Sequence, residues 1–273
     1  LNIDYCKIKT GSFTLWLAAT FKDSPLQNAL ADGFLSLAKA YTLKKVPASA
    51  TSVVCTFTCE GQTFYFKQYH CRSLWDFIKH TVRPSRAQRA MQAAAMLEAN
   101  GFAAPEVVAM GCRRTGIFNR ENFLLTREVE NALSLYAFFE RHCSRPNSCS
   151  TEKQKFIRAV GRLVGRLHAK NISHGDLRLG NVLVRKNTAT WYFFFLDNER
   201  TVQYRRLPDR LRVKNLVQCN MHRTSALTRT DRLRFFTAYL AENPALANAA
   251  KTWLKKINSR TLRRIAKRTK KTA

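Results

Sequence analysis

Three residues near the middle of the chain have the types and spacing to handle a phosphoryl group: Asp176, Asn181 and Asp197. The first two lie in Ser173-His174-Gly175-Asp176-Leu177-Arg178-Leu179-Gly180-Asn181. The third closes Trp191-Tyr192-Phe193-Phe194-Phe195-Leu196-Asp197. Phosphoryl transfer needs a group that orients the acceptor hydroxyl and oxygen ligands for the magnesium that bridges the ATP phosphates. A carboxylate, an amide five positions later and a second carboxylate beyond two apolar runs provide both. Magnesium takes hard oxygen ligands and keeps some of its water, so two side chains plus phosphate oxygens suffice. On this reading Asp176 is the base, and Asn181 and Asp197 hold the metal. A plain turn with one capping Asp and one left-handed Asn accounts for each residue alone. It accounts neither for their spacing nor for Lys67, upstream in Phe64-Tyr65-Phe66-Lys67.

The elements around these residues follow from periodicity. Thr151 to Lys170 reads as a helix whose apolar stripe is Phe156, Val160, Leu163, Val164 and Leu167. It delivers the chain to the loop, and His168 at its end reads as a packed histidine. A helix, H-x-D-x-x-x-x-N, two apolar runs joined by a turn, and a final Asp is the order of a kinase catalytic loop and metal hairpin. Upstream, Val53 to Thr58 and Thr63 to Tyr69 alternate as strands around the turn Glu60-Gly61-Gln62. Lys67 then falls on the third strand of a small sheet, where a kinase keeps its phosphate-binding lysine. No Gly-rich loop precedes it. Pro47 to Ser52, with Ser49 and Ser52, is the candidate phosphate-covering segment, through hydroxyls and backbone N–H groups. Ser85 caps a helix that ends at Gly101. Its one acid, Glu98, lies near the end and reads as a solvent residue rather than the partner of Lys67; Gln88 or Gln92 could replace the carboxylate, and the position stays open. Pro105 to Met110 and Asn122 to Val129 read as strands, and a helix follows from about Ser134 to His142. Glu128 and Val129 are the positions expected to meet adenine.

Further out, Ser24-Pro25 opens a helix expected to run to Ala40, and residues 1–40 stand apart as an extension of uncertain structure. Residues 41–129 form the smaller, sheet-rich lobe and 130–273 the mostly helical one, giving an α+β, bilobal, protein-kinase-like fold. Arg200 to Arg234 carries scattered cations and short apolar pairs, with a helix capped around Thr230-Asp231-Arg232. The last stretch, Lys251 to Lys271, reads as a basic amphipathic helix suited to an anionic membrane surface.

Composition narrows the partners. Lys and Arg number 47 against 18 Asp and Glu, a net charge of +29. That excess implies a polyanion: nucleic acid, an anionic membrane surface or a phosphorylated glycolipid. Apolar residues make up 45% of the chain, enough for a core. The eight cysteines form no C-x-x-C pair, which fits free thiols in a reducing compartment. Ser12 to Phe21 is apolar but shorter than the roughly 20 residues a spanning helix requires, so membrane contact is expected to be peripheral.

The loop His174 to Val184, with Phe195-Leu196-Asp197-Asn198-Glu199-Arg200-Thr201, resembles the lipopolysaccharide core kinase family, which phosphorylates Kdo or heptose sugars. Ser85-Arg86-Ala87, Gly101-Phe102, Pro105, Lys214-Asn215-Leu216 and Thr230-Asp231-Arg232 are similar to that family as well. The resemblance spans about Lys44 to Leu240. It implies a bacterial enzyme on the cytoplasmic side of the inner membrane, using ATP and Mg²⁺ on a glycolipid of the lipopolysaccharide core or lipid A. Lys67 would contact the α and β phosphates. Arg178 and Arg200 could meet acidic groups of the acceptor or form structural ion pairs. A kinase with another acceptor, a small molecule or a protein, is the alternative. A basic nucleic-acid-binding protein on a degenerate kinase fold is the other, and it is disfavoured because Asp176, Asn181 and Asp197 are all present. No nucleic acid partner is therefore expected.

Overall fold

The computed structural model describes residues 4–48, 51–70, 84–115, 118–143, 151–188, 190–221 and 227–272. The chain forms two compact units, Leu1–Val129 and Glu130–Ala273.

The first unit is built on a seven-stranded antiparallel sheet. In chain order its strands are β1 (Tyr5–Thr10), β2 (Phe13–Ala18), β3 (Lys44–Val46), β4 (Ser52–Cys59), β5 (Gln62–Tyr69), β6 (Val107–Thr115) and β7 (Phe118–Arg127). Across the sheet they run β1-β2-β6-β7-β5-β4-β3. Alternation sets the faces. Cys55, Phe57 and Cys59 of β4 are buried on one side, and Phe57 stands opposite Phe64 of β5 in the register. Phe66 and Phe123 bring their rings to 4.6 Å on the same side.

That side is covered by residues expected to lie outside the sheet unit. β1 and β2 extend the sheet. The short helices α1 (Pro25–Ala29) and α2 (Phe34–Ala40) place Leu26, Leu30 and Leu37 in one core with Phe57, Phe64, Phe66 and Phe123. The single helix expected from Ser24 to Ala40 is broken at Gly33, whose φ is +67°. The Glu121 carboxylate sits there and accepts the Phe34 N–H at 3.2 Å, a negative charge at the start of α2. Backbone at φ +67° and ψ −136° is open to glycine and strained for any residue with a Cβ, so the break needs glycine. The opposite side of the sheet carries Tyr69, Met110 and Leu124, packed by Ala87 and Ala90 of α3 (Arg86–Ala99). Ser85 caps α3 as expected, its hydroxyl accepting the Gln88 N–H.

In the second unit a short strand, β8 (Ala132–Ser134), precedes α4 (Leu135–Cys143) and α5 (Thr151–Ala169). The whole apolar stripe of α5 is buried. Next come β9 (Ile172–Ser173), the hairpin β10 (Val182–Lys186) and β11 (Trp191–Phe195), and β12 (Val202–Gln203). β10 lies between β8 and β11, and β12 pairs with β9. Three helices complete the unit: α6 (Asp209–Asn220), α7 (Arg229–Ala241) and α8 (Ala250–Thr272). α6 falls where only scattered cations were expected. The cap of α7 is Thr228, not Thr230. Thr228 Oγ1 accepts the Asp231 N–H and Asp231 accepts the Thr228 N–H, each at 3.1 Å. On α8, Trp253, Ile257 and Thr261 are buried, and Asn220 donates to Thr261 Oγ1 at 3.1 Å. Trp253, Ile257 and Thr261 thus pack one face of the basic tail on the protein, Leu262 of the same stripe stays 46% exposed, and apart from the half-buried Arg264 the described cations of the helix face outward. No helix among the described residues is long and apolar enough to cross a membrane.

Candidate active site

β9 leads directly into the loop that carries Asp176. Gly175 takes φ +73°, and the space where its Cβ would stand is filled by Arg200, whose carbonyl oxygen would be 2.5 Å away. The turn before Asp176 is therefore pressed against the turn after Asp197. The hairpin brings the other two residues together. Asn181 precedes β10 and Asp197 follows β11, with Val182 paired to Phe195. Leu196 N–H donates to the Asn181 carbonyl at 2.9 Å, so the residue before Asp197 is tied to Asn181. Asp197 itself has left-handed backbone, φ +56°.

Three side chains orient Asp176. Gln218 Nε2 donates to its Oδ1 at 2.9 Å, and Arg178 Nε pairs with the same oxygen at 2.9 Å. Asn181 Nδ2 donates to the Asp176 carbonyl at 2.9 Å and to Oδ2 at 3.4 Å. That bond turns the Asn181 amide nitrogen toward Asp176 and leaves its Oδ1 as the atom able to meet a cation. Asn181 Oδ1 and the Asp197 carboxylate are hard oxygen donors of the kind magnesium prefers, so the residues present fit that ion. Arg178, left open between substrate and structural roles, is seen in an ion pair with Asp176, half-exposed. Arg200 lies exposed in the turn after Asp197.

Beneath the loop is a buried polar network that sequence reasoning did not find. Asn215 Oδ1 accepts from the His174 N–H at 3.2 Å, the Ser173 hydroxyl at 3.3 Å and His168 Nε2 at 3.2 Å. A backbone N–H can only donate, so the bond from His174 fixes which Asn215 atom is oxygen. Asn215 Nδ2 then donates to Gln218 Oε1, which also accepts the Leu177 N–H at 3.1 Å. Gln218 must therefore turn its Nε2 to Asp176. By the same logic His168 carries its proton on Nε2, and its Nδ1 accepts from the Tyr239 hydroxyl at 3.0 Å. Burial pushes the His168 pKa down to about 3, despite the bond to Asn215. Burial also lowers that of His174, whose ring lies 5.4 Å from that of Phe195.

In the first unit, Lys67 sits on β5 between Val54 of β4 and Leu124 of β7. Its ammonium lies 5.2 Å from the centre of the Tyr69 ring, and the Arg86 guanidinium lies 4.8 Å from the same ring. β3 and β4 form a hairpin whose connection holds the candidate phosphate segment. Ser52 is buried opposite Tyr69, and Ser49 lies outside the described residues. The packed face of α3 carries Ala87, Ala90, Met91 and Ala94, with no acid. Glu98 and Gln92 are exposed, and the Gln88 N–H serves the cap at Ser85. Glu128 N–H donates to the Thr63 carbonyl at 2.9 Å. That amide is spent within the sheet, and what Glu128 can offer a base is its carbonyl. Val129 is the last residue of this unit.

The second unit also holds a cavity of about 830 Å³. It is lined by Phe139, Val160, Leu216, Phe236 and Ile257, with Leu179 from the loop that carries Asp176. None of Asp176, Asn181 and Asp197 lines it.

Residues 44–239 match the model of the family described as Lipopolysaccharide kinase (Kdo/WaaP) family. The chain belongs to the Kdo/WaaP lipopolysaccharide kinase family. This lipopolysaccharide kinase is 25% identical over 185 residues to the lipopolysaccharide core heptose(I) kinase WaaP of Pseudomonas aeruginosa, covering 64% of this chain and 69% of that protein. It is also similar to the solved structure of WaaP in complex with acyl carrier protein, with TM-score 0.65 and 20% identity over 88% of this chain and 96% of that one. The likeness supports the kinase-like fold, with its sheet-rich first unit and helical second unit. The lipopolysaccharide kinase also carries a signal that could have revealed α6. Lys214-Asn215-Leu216 is among the segments of family resemblance, and Asn215 proves to be the centre of the network under the loop.

Proposed function

We propose that this kinase transfers the γ-phosphoryl group of ATP to a sugar hydroxyl of the lipopolysaccharide inner core, a heptose or Kdo, with Mg²⁺. The observation that carries the reading is the support of Asp176 from Gln218 and Asn181, with Asn181 tied to Leu196, the residue before Asp197. Asp176 orients the acceptor hydroxyl and takes up its proton. Asn181 Oδ1 and Asp197 hold the ion. Magnesium, when bound, supplies positive charge to the phosphate oxygens and lowers the cost of charge building on them. Lys67 contacts the α and β phosphates, with Ser49, Ser52 and the backbone around them covering the phosphates. The Glu128 carbonyl and Val129 meet adenine. Arg178 and Arg200 face the acceptor side of Asp176. The net charge of +29 and the exposed cations of α8 support attraction to the anionic cytoplasmic face of the inner membrane through charge.

Purified protein with Mg-ATP and inner-core glycolipid should yield phosphorylated glycolipid by mass spectrometry, and Asp176→Ala should lose the transfer. Transfer that survives Asp176→Ala removes this residue from the reaction.

A second reading concerns a partner. The apolar cavity suits a hydrocarbon chain, and the structural neighbour was solved with acyl carrier protein. We propose that an acyl chain borne by such a carrier occupies the cavity. Intact-mass analysis of the protein purified from its own cells should find the carrier bound, and Leu233→Arg, at the cavity lining, should release it. Purification without any carrier sinks this reading and leaves the kinase reading in place.

A further inference from the structure

Four cations from separate parts of the second unit gather near one carboxylate. Arg178 pairs with Asp176 at 2.9 Å. Arg200 presses its backbone and Cβ on Gly175, the residue before Asp176. Lys214 stands on α6 one turn before Gln218, so the two share a helix face, and Gln218 is the residue that reaches Asp176. Arg264 comes from α8, which Asn220 and Thr261 lock to α6. It follows Thr261 by three positions and so lies on the packed side of that helix. Burial, and then the Arg200 guanidinium, hold the Lys214 ammonium below the ordinary lysine range. Asp176 opposes them and Arg264 adds to them, so these groups lie within electrostatic reach of one another. Like charges repel, and because Lys214 and Arg200 are exposed the cluster stands open to a ligand. Asp176, the carboxylate that acts on Lys214, is already engaged by Arg178. The remaining positive charge is suited to an anion brought by a ligand.

We propose that Lys214, Arg200 and Arg264 seat an acidic group of the acceptor glycan, a carboxylate or a phosphate, and so select the acceptor and set its approach to Asp176. The assignment rests on the acceptor class proposed above. Arg200 and Arg264 can each offer a bidentate fork to either anion, and Lys214 a point charge. The seat adjoins the loop that carries Asp176, on the α6 side, where an acceptor held by its acid would have a neighbouring hydroxyl near the base.

The test uses the intact protein and deacylated inner-core oligosaccharide. Binding is measured by calorimetry without nucleotide, and acceptor KM with Mg-ATP in excess. Lys214→Met and Arg264→Ala should each weaken oligosaccharide binding and raise acceptor KM about tenfold, the scale of one lost charge-assisted contact. KM for ATP should move by less than about twofold, and Lys214→Arg should recover most of the loss. Oligosaccharide with its carboxylates reduced to alcohols, and oligosaccharide treated with phosphatase, form the two further arms. The treatment that erases the gap between the native protein and Lys214→Met identifies the anion. A gap that persists in both arms overturns the seat. So does a rise in KM for ATP with acceptor KM unchanged, which would place the cluster on the nucleotide. Native protein that binds the oligosaccharide in this way without phosphorylating it defeats the proposed reaction but keeps the seat. Native protein that does not bind it defeats both.

Discussion

Asp176 is held by a side chain whose own orientation is dictated several bonds away. The His174 N–H fixes Asn215, Asn215 and the Leu177 N–H fix Gln218, and Gln218 points a donor at Asp176 Oδ1. Gln218 is a positioning residue in this scheme. Gln218→Leu should lower kcat by about 10- to 100-fold, the scale of losing a hydrogen bond to a charged group, with KM for ATP nearly unchanged. Steady-state kinetics in both substrates, beside a melting curve, checks this. A fall in melting temperature with kcat intact would reduce Gln218 to scaffolding. The same network makes the fold sensitive to acid. His168 is neutral when folded, with its pKa near 3, whereas in the unfolded chain it titrates near about 6.5. Between those values the unfolded chain binds a proton that the folded protein excludes. Stability is therefore full above about pH 6.5 and falls as the pH drops toward 3. Melting temperatures from about pH 8 to 4.5 should decline more steeply for the native protein than for His168→Gln. Parallel declines would show that His168 does not drive the effect.

Individual elements differ in how openly the sequence displays them. The loop and hairpin were legible because their logic is local: Asp176, Asn181 and Asp197 are spaced by a turn and two strands. α5 was legible because its buried face is wholly apolar. α6 was not, because its buried face includes Asn215 and Gln218, which break the apolar period. The partners that justify burying them lie some forty residues upstream. The break at Gly33 was hidden for a similar reason, since the carboxylate that receives the start of α2 comes from Glu121. The shift of the α7 cap from Thr230 to Thr228 is a choice between two hydroxyls two residues apart, decided by Asp231 at the third helical position. Asp231 is buried, and it pairs with Lys153 of α5 at 3.1 Å and with Arg234 at 2.7 Å. Burial alone would raise its pKa, but the bonds from Thr228 and Lys153 outweigh burial and lower it. Asp231→Ala should destabilise the second unit by about 3 kcal/mol, because Lys153 loses a buried partner. Thr228→Ala should cost about 1 kcal/mol. Urea unfolding of both variants checks the order, and equal costs would mean that the ion pair adds nothing to the cap.

At the scale of the whole molecule, the charge balance pointed to a polyanion, and family membership turns that into a glycolipid. The role expected for the tail changed more. Trp253 and Ile257, part of the apolar stripe of a basic amphipathic helix, are buried against the second unit while Leu262 is exposed, so α8 contributes to the fold as well as offering cations at the surface. The first forty residues were unreadable because their strands and short helices have no independent core. They make sense only as the cover of Phe57, Phe64, Phe66 and Phe123. The stretch shared with the family, 44–239, is accordingly a boundary of ancestry and not of folding. An expression clone cut to those limits would strip the lid from an aromatic floor at one end and the brace from α6 at the other. It should accumulate in inclusion bodies where residues 1–273 give soluble protein, and gel filtration of the two products would tell them apart.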